Sequence, residues 1–534
     1  MKRYILLAIL GIALFSCRPM GDDLLGYGMN DSQAFDPTKE SFAEQFKAFW
    51  LAMNENYCIW DFEEKYGLDW DEVYDTYLPL FEALDDSTRQ PVTDDELQAL
   101  YQSFLDSIHD GHCSFDIKNR HTGNYINIFP NVNRVFRERG DLLLAEALNI
   151  TTLDLYRSAN APAGYRILQY DVTGSSRIIV ELLDSAAQQM LAATTAYITA
   201  VDAAGGPNDF NDSIYEAVKD LQTQSILFLS FVNNPSEQYL EEMAASMAQQ
   251  YNILCTEYDI VAKQIDLVMT PIDPKIVGDG LMLLQSAIFD GNIAYLRISN
   301  FALTPLLKEE ATSTDTTSAY YAYQMAARRV WHLWFDAIQS LHASGQLAGV
   351  ILDLRNNGGG FVSDYRYAVG ALLPSGGYQS HMLRVKNGSG RLDFAPVTPF
   401  IVGTYPDEHA VITEEPIVVI SNSNSISMAE NSTWGVTTLP NGYFIGTRTF
   451  GALSALADDP AYYSGCYSGC FGVKEETTFY GFVPRYVCLF GDDQHIAEGV
   501  GFEPDEEVVL DVDNWNTEMR DNQLERAIDY ILKR

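Results

Sequence analysis

The stretch Pro416–Asn431, PIVVISNSNSISMAEN, decides the fold. Four successive β-branched residues, Ile417 to Ile420, suit a strand buried on both faces. A run of serines and asparagines then breaks the strand, and SMAENSTWGVTTL from Ser427 onward carries a helical pattern. Ser427 stands in the first turn of that helix, where the terminal amides favour developing negative charge. There the N–H of Met428 can face an oxyanion formed when the Ser427 hydroxyl attacks a carbonyl. The same residues also fit a plain capping box, with Ser425 or Ser427 as cap and Glu430 completing it.

Working outward, GVILDLRNNGGG (349–360) is a second buried strand that ends at Asp353 and Arg355 and runs into three glycines. Glycines let a reacting oxygen approach the backbone amides closely, as an oxyanion hole or a phosphate cradle requires. The lysine and spacing of a nucleotide-phosphate loop are missing, which disfavours the second use. NIAYLRIS (292–299) and YFIGTRT (443–449) read as further strands, with a helix predicted from about Ala319 to Ser344, another after Gly360 and a last one from Asn514 to Lys533. Alternating strands and helices of this kind make an α/β core.

Upstream, Ser41 to about Phe115 is helical in pattern, with Phe42, Phe46, Phe49, Trp50 and Met53 on one face. Thr93 and Glu96 form a capping box for a helix that Gly111 is expected to stop, directly before His112. Asn124 to about Tyr170 reads as short strands and turns, and Ser176 to about Gln264 as long helices. The domain expectation is therefore 41–123 as an N-terminal helical domain, 124–280 as a mixed region with a helical insert, and 281–534 as the α/β core with its C-terminal helix.

A chain of 534 residues exceeds one ordinary core. Its formal charge of -39 repels polyanions, so nucleic acid is not an expected partner. Lys2 and Arg3 precede an apolar run from Tyr4 to Phe15, a pattern of secretory signal peptides that is shorter than the roughly 20 residues a membrane span needs. The following Leu14-Phe15-Ser16-Cys17 resembles a bacterial lipobox. Residues 1–16 are thus expected to be a signal peptide, Cys17 the lipidated N-terminus and 17–40 a tether, giving an exported cell-envelope lipoprotein held to a membrane only by its anchor. Ordinary cleavage nearby is the alternative. For the remaining cysteines, a local disulfide among Cys466, Cys470 and Cys488, or none, is expected.

NIAYLRISNF, DLRNNGGG, SISMAE, FIGTRTFG and IAEGVGFEPD occur in the order seen in the C-terminal processing, or tail-specific, serine peptidases. The resemblance covers about 220 residues, and FKAFWLAMNENYCIWDFEEKYGLDWDEVY with DGHCSF also resembles the tricorn-core-related branch. It implies a ClpP/crotonase-like α/β peptidase core that hydrolyses peptides or unfolded proteins without a cofactor. By resemblance Ser427 is the nucleophile, and the amides of Met428 and Gly359, within one residue, form the oxyanion hole. The family's usual lysine base falls on Ala452, so a base is sought elsewhere. The tricorn-like branch draws a histidine from its N-terminal region, here His112, with Gly111 standing where that branch has a serine; Asp110 or a water could orient the imidazole instead. Glu498 would charge-balance the imidazolium, and Lys474 is a weaker candidate base. His109 and His112 are at helical spacing, yet no third ligand is visible, so no metal is expected and His109 reads as a surface residue. A catalytically inactive peptide- or ligand-binding lipoprotein on the same fold is the competing function, and the oligomeric state is left open.

Overall fold

The computed structural model describes residues 41–147, 153–173, 175–207, 212–232, 237–272, 282–309, 312–373, 377–387, 390–403, 405, 414–454, 479–484 and 486–534. The expected signal peptide, Cys17, the tether, Cys466, Cys470 and Lys474 lie outside them. The chain forms two compact units, both discontinuous in sequence: Met1–Asp141, Gln379–Ile401 and Phe450–Phe502 make the first, and Leu142–Tyr378, Val402–Thr449 and Glu503–Arg534 the second.

The first unit opens with four helices, Phe42–Asn56, Trp60–Lys65, Trp70–Leu84 and Asp94–Leu105. Their starts are capped as the local chemistry dictates. Ser41 accepts from the Glu44 amide, Asp69 from those of Asp71 and Glu72, and Thr93 from that of Glu96. The last helix ends at Leu105, before the glycine expected to stop it. Phe42, Phe46, Phe49 and Met53 are buried together with Trp60, Trp70 and Phe81, the aromatic core that the helical period of this segment implies. Ser114–Lys118 lies between Tyr125–Ile128 and Phe479–Phe482 in an antiparallel sheet, and Tyr486–Leu489 pairs antiparallel with Tyr378–Val385 in another.

The second unit is built on a seven-stranded sheet in the order Glu506–Glu507, Gly442–Gly446, Ile417–Ser421, Gly349–Asp353, Ile293–Ile298, Leu284–Phe289, Ile167–Val172. The first five are parallel and the last two join antiparallel. Every residue of Gly349–Asp353 and Ile417–Ser421 is buried, as expected of parallel strands covered on both faces. Helix Ala319–Ala343 covers the sheet beside Leu284–Phe289, and the C-terminal helix Asn522–Leu532 lies beside Gly349–Asp353, Ile417–Ser421 and Gly442–Gly446. The insert holds helices Ser175–Ala203, Asp212–Val232, Glu237–Glu257 and Asp259–Gln264.

Three expectations are corrected. The region read as strands and turns contains an 18-residue helix, Pro130–Ala147, whose ladder is interrupted at Arg139 (φ -136°, ψ 16°). The C-terminal helix is two helices, Val512–Glu518 and Asn522–Leu532, separated where Met519 turns left-handed (φ 55°) and Asp521 caps the second. In the stretch after Gly360 the described residues form only short turns, Val362–Asp364, Tyr365–Ala368 and Gly370–Leu372. Cys488 is a free, buried thiol, so the pairing that would have used it does not form. Among the described residues no helix is long and apolar enough to cross a membrane.

Candidate active site

Ser427, Met428 and Gly359 share the second unit, while His112 and Glu498 share the first.

The parallel strands Gly349–Asp353 and Ile417–Ser421 end side by side, and the loops leaving their carboxyl ends are tied together. The Ser425 hydroxyl donates to the Leu354 carbonyl (2.8 Å), the Ile426 amide to the Asn357 carbonyl (2.9 Å) and the Asn356 amide to Asn422 Oδ1 (3.0 Å). Beneath them the buried Arg355 guanidinium binds Asp353 and, from the C-terminal segment, Asp521 (2.8 Å). The loops are therefore fixed to the sheet and to each other. Crevices outside the carboxyl ends of such strands are where α/β sheets bind ligands.

Ser427 is held at φ 58°, ψ -114°. An ordinary helix cap has extended backbone, and a non-glycine residue at positive φ with this ψ costs on the order of 1–3 kcal/mol. The surrounding contacts impose the conformation. The Ser427 amide donates to Glu430 Oε2 (3.1 Å), Glu430 Oε1 accepts from the Thr449 hydroxyl (2.7 Å), and the Asn431 amide donates to the Ser427 carbonyl (2.9 Å). The capping box is thus present, on a residue whose backbone is bent away from the capping geometry. Helix Met428–Thr437 is anchored by Tyr365, whose hydroxyl donates to the Asn431 carbonyl (2.6 Å).

The glycine loop presses on this turn. A Cβ on Gly359 (φ 93°) would sit 2.6 Å from Ser427 Cβ, 2.9 Å from the Ile426 carbonyl and 3.1 Å from the Met428 nitrogen. Only glycine leaves that space open. The Gly359 amide itself donates to Asn357 Oδ1 (2.8 Å), whereas the amides of Gly358, Gly360 and Met428 have no acceptor among the described residues. The unengaged donors therefore flank Gly359, one residue to either side.

In the first unit the loop Asp110-Gly111-His112 meets Glu498. Glu498 is fully enclosed and accepts from the amides of Gly111 (2.8 Å), Leu453 (2.9 Å) and Ser454 (2.7 Å). Burial outweighs these bonds and pushes its carboxyl up to about 7. Asp110 is also fully buried; its Oδ1 accepts from the amides of His112 (2.7 Å) and Cys113 (3.1 Å). Burial and the neighbouring Glu498 raise its carboxyl well above the ordinary range. His112 has its Nδ1 buried, and desolvation of the cation brings the imidazole down to about 4, so it is neutral at neutral pH. The hydrogen bonds of Glu498 thus go to the amides of Gly111, Leu453 and Ser454 and to the Ser454 side chain, while one donor atom each of Asp110, His112 and Glu498 lies within 4.8 Å of the other two. His109 is partly exposed, with 18% of its side chain accessible, and its Nδ1 bonds Oε2 of the buried Glu63 (2.7 Å).

Ala452 is the residue onto which the resemblance places the family's lysine. It is fully buried, and a Cβ on Gly111 would lie 2.2 Å from its Cβ and 2.7 Å from its Cα.

Residues 292–458 match peptidase family S41. The matched segment is similar to the S41 peptidases. That segment contains the glycine loop, Ser427 and Ala452, and the match supports a hydrolase of the serine peptidase kind. No curated protein matches the chain significantly. Solved structures resemble it at low identity. A candidate peptidase from Parabacteroides merdae ATCC 43184 is 15% identical over 92% of this chain and 98% of its own, with a TM-score of 0.46. Mature CPAF complexed with lactacystin is 12% identical over 93% and 98%, with a TM-score of 0.42. The photosystem II D1 C-terminal processing protease is 19% identical over 40% and 42%, with a TM-score of 0.24.

Two residues of the matched segment were not singled out from sequence. Asn357 spans the glycine loop, accepting from Gly359 and donating to the Ile298 carbonyl (2.8 Å). Asn422 links the two loops through Asn356. The paired Asn356-Asn357 before the glycines was the available signal, because asparagine side chains bond nearby backbone in turns.

Proposed function

We propose that the chain is a serine endopeptidase acting on peptides or unfolded proteins through an acyl-enzyme on Ser427, with His112 as the base. Ser427 Oγ attacks the scissile carbonyl carbon and gives its proton to the neutral imidazole. The tetrahedral oxyanion accepts hydrogen bonds from the Met428 amide and from an unengaged amide of the loop at Gly359. Collapse breaks the C–N bond, and the imidazolium returns the proton to the leaving amine. Water, deprotonated by His112, then attacks the ester and frees Ser427. Glu498 charge-balances the imidazolium.

The observation that carries this reading is the backbone of Ser427, because capping alone requires no positive φ. The glycine space against Ser427 Cβ supports it from the other side. Lys2, Arg3, the apolar run after them and Cys17 support export and lipid anchoring in the cell envelope.

Turnover of an unfolded casein-like protein is the test. The proposal expects cleavage that Ser427→Ala abolishes while folding is retained. Saturable peptide binding with no cleavage by the unaltered chain would overturn it in favour of the inactive binding lipoprotein, which the loss of the lysine at Ala452 motivates.

A further inference from the structure

Asp110, His112 and Glu498 form a cluster that peptide hydrolysis does not fully account for. Asp110 Oδ2 and His112 Nδ1 are both buried and have no hydrogen-bond partner among the described residues. Buried polar atoms are nearly always satisfied, so two orphans in one cluster call for an explanation. Both carboxyl groups are fully enclosed, and neither is paired with a lysine or arginine among the described residues. Enclosed carboxylates without a cation are costly.

We propose that Asp110, His112 and Glu498 bind a divalent zinc-like cation that switches the peptidase off. Carboxylate oxygen and imidazole nitrogen are the ligand types such an ion takes, and three protein donors leave a fourth position for water. Tetrahedral bonds of roughly 2.1 Å place donor atoms roughly 3.4 Å apart. The donors here lie within 4.8 Å of one another, so the cluster contracts by little more than an ångström on binding. Two carboxylates, a neutral imidazole and a dication sum to zero charge, which suits an enclosed site. The Gly111, Leu453 and Ser454 amides hold Glu498 in place, and Oε1, which of the three accepts only the Gly111 amide, keeps a lone pair for the ion. Sequence spacing hid the third ligand, since Glu498 stands nearly four hundred residues beyond His112.

The inhibitory effect follows from tautomerism. A neutral imidazole that binds metal through Nδ1 carries its proton on Nε2. Nε2 then has no lone pair with which to take the proton of Ser427. The binding stands on geometry alone, whereas its inhibitory consequence rests on the proposed role of His112.

The test uses the whole chain freed of metal with a chelator. Equilibrium dialysis against Zn2+, and the visible absorption of added Co2+, read binding without reference to activity. One ion per chain is expected, with tetrahedral cobalt absorption, and Asp110→Asn, Glu498→Gln and His112→Asn are each expected to weaken binding at least tenfold. If Asp110→Asn fails to fold by circular dichroism, the other two variants decide. Absence of stoichiometric binding, or binding unchanged in the folded variants, overturns the site. Zn2+ inhibition of peptide cleavage, reversed by chelator, is the second readout. Binding without inhibition would retain the site and overturn the switch.

Discussion

Gly111 and Ala452 occupy one another's side-chain space: a Cβ at Gly111 would fall 2.2 Å from Ala452 Cβ. The two departures from the resemblance, a missing serine and a missing lysine, therefore meet at one contact within one unit. Gly111→Ser is expected to destabilise the fold by about 1–3 kcal/mol, the usual cost of overpacking. Adding Ala452→Gly should recover only part of this, because the new Cβ still faces the Ala452 Cα at 2.7 Å. Urea denaturation of the single and double variants checks both statements, and a neutral Gly111→Ser would contradict them.

Strain at Ser427 predicts a trade of stability for activity. Glycine tolerates φ 58°, ψ -114°, so Ser427→Gly relieves about 1–3 kcal/mol of backbone strain and loses about 0.5–1 kcal/mol to chain entropy. A net gain of about 1 kcal/mol, with loss of cleavage, is expected. A drop in the urea midpoint would argue that the conformation is not strained.

Gly359→Ala addresses the oxyanion loop. Its Cβ would meet Ser427 Cβ at 2.6 Å and the Ile426 carbonyl at 2.9 Å, at φ 93° where alanine is disfavoured. We expect kcat/KM to fall at least a hundredfold, in line with loss of an oxyanion-hole donor. Activity within tenfold of the unaltered chain would remove this loop from the chemistry.

The pH profile separates His112 from Glu498. The imidazole is the active base only when neutral, so activity vanishes as pH falls through about 4, well below an ordinary histidine. Glu498 helps only when ionised, so a second, smaller rise is expected as pH passes about 7. In chelator, Glu498→Gln should erase the upper step and keep the lower. A single step near the usual histidine value, unmoved by Glu498→Gln, would contradict both assignments.

The strands and the loop at Ser427 were legible because four β-branched residues followed by a serine-asparagine turn leave few alternatives. The insert's long helices were legible from their helical period. The packing of Gly111 on Ala452, and of Glu498 on the Gly111 amide, was not, since no local pattern reports contacts between residues hundreds of positions apart. The bond of His109 to Glu63 was not legible because Glu63 lies on the helix Trp60–Lys65, 46 positions upstream. The break at Met519 was missed for want of a glycine, although Asp521 before Asn522 was a usable cap signal. That the Gly359 amide bonds Asn357 was likewise invisible, and it shifts attention to the neighbouring amides.

The central claim is that Ser427 is the nucleophile. Reaction of the whole chain with a fluorophosphonate, followed by mass measurement of the digested protein, tests it most directly. The account predicts one adduct per chain, on the peptide containing Ser427, absent from a folded Ser427→Ala variant. An adduct that persists in that variant, or no adduct on a chain that cleaves unfolded protein, would contradict it.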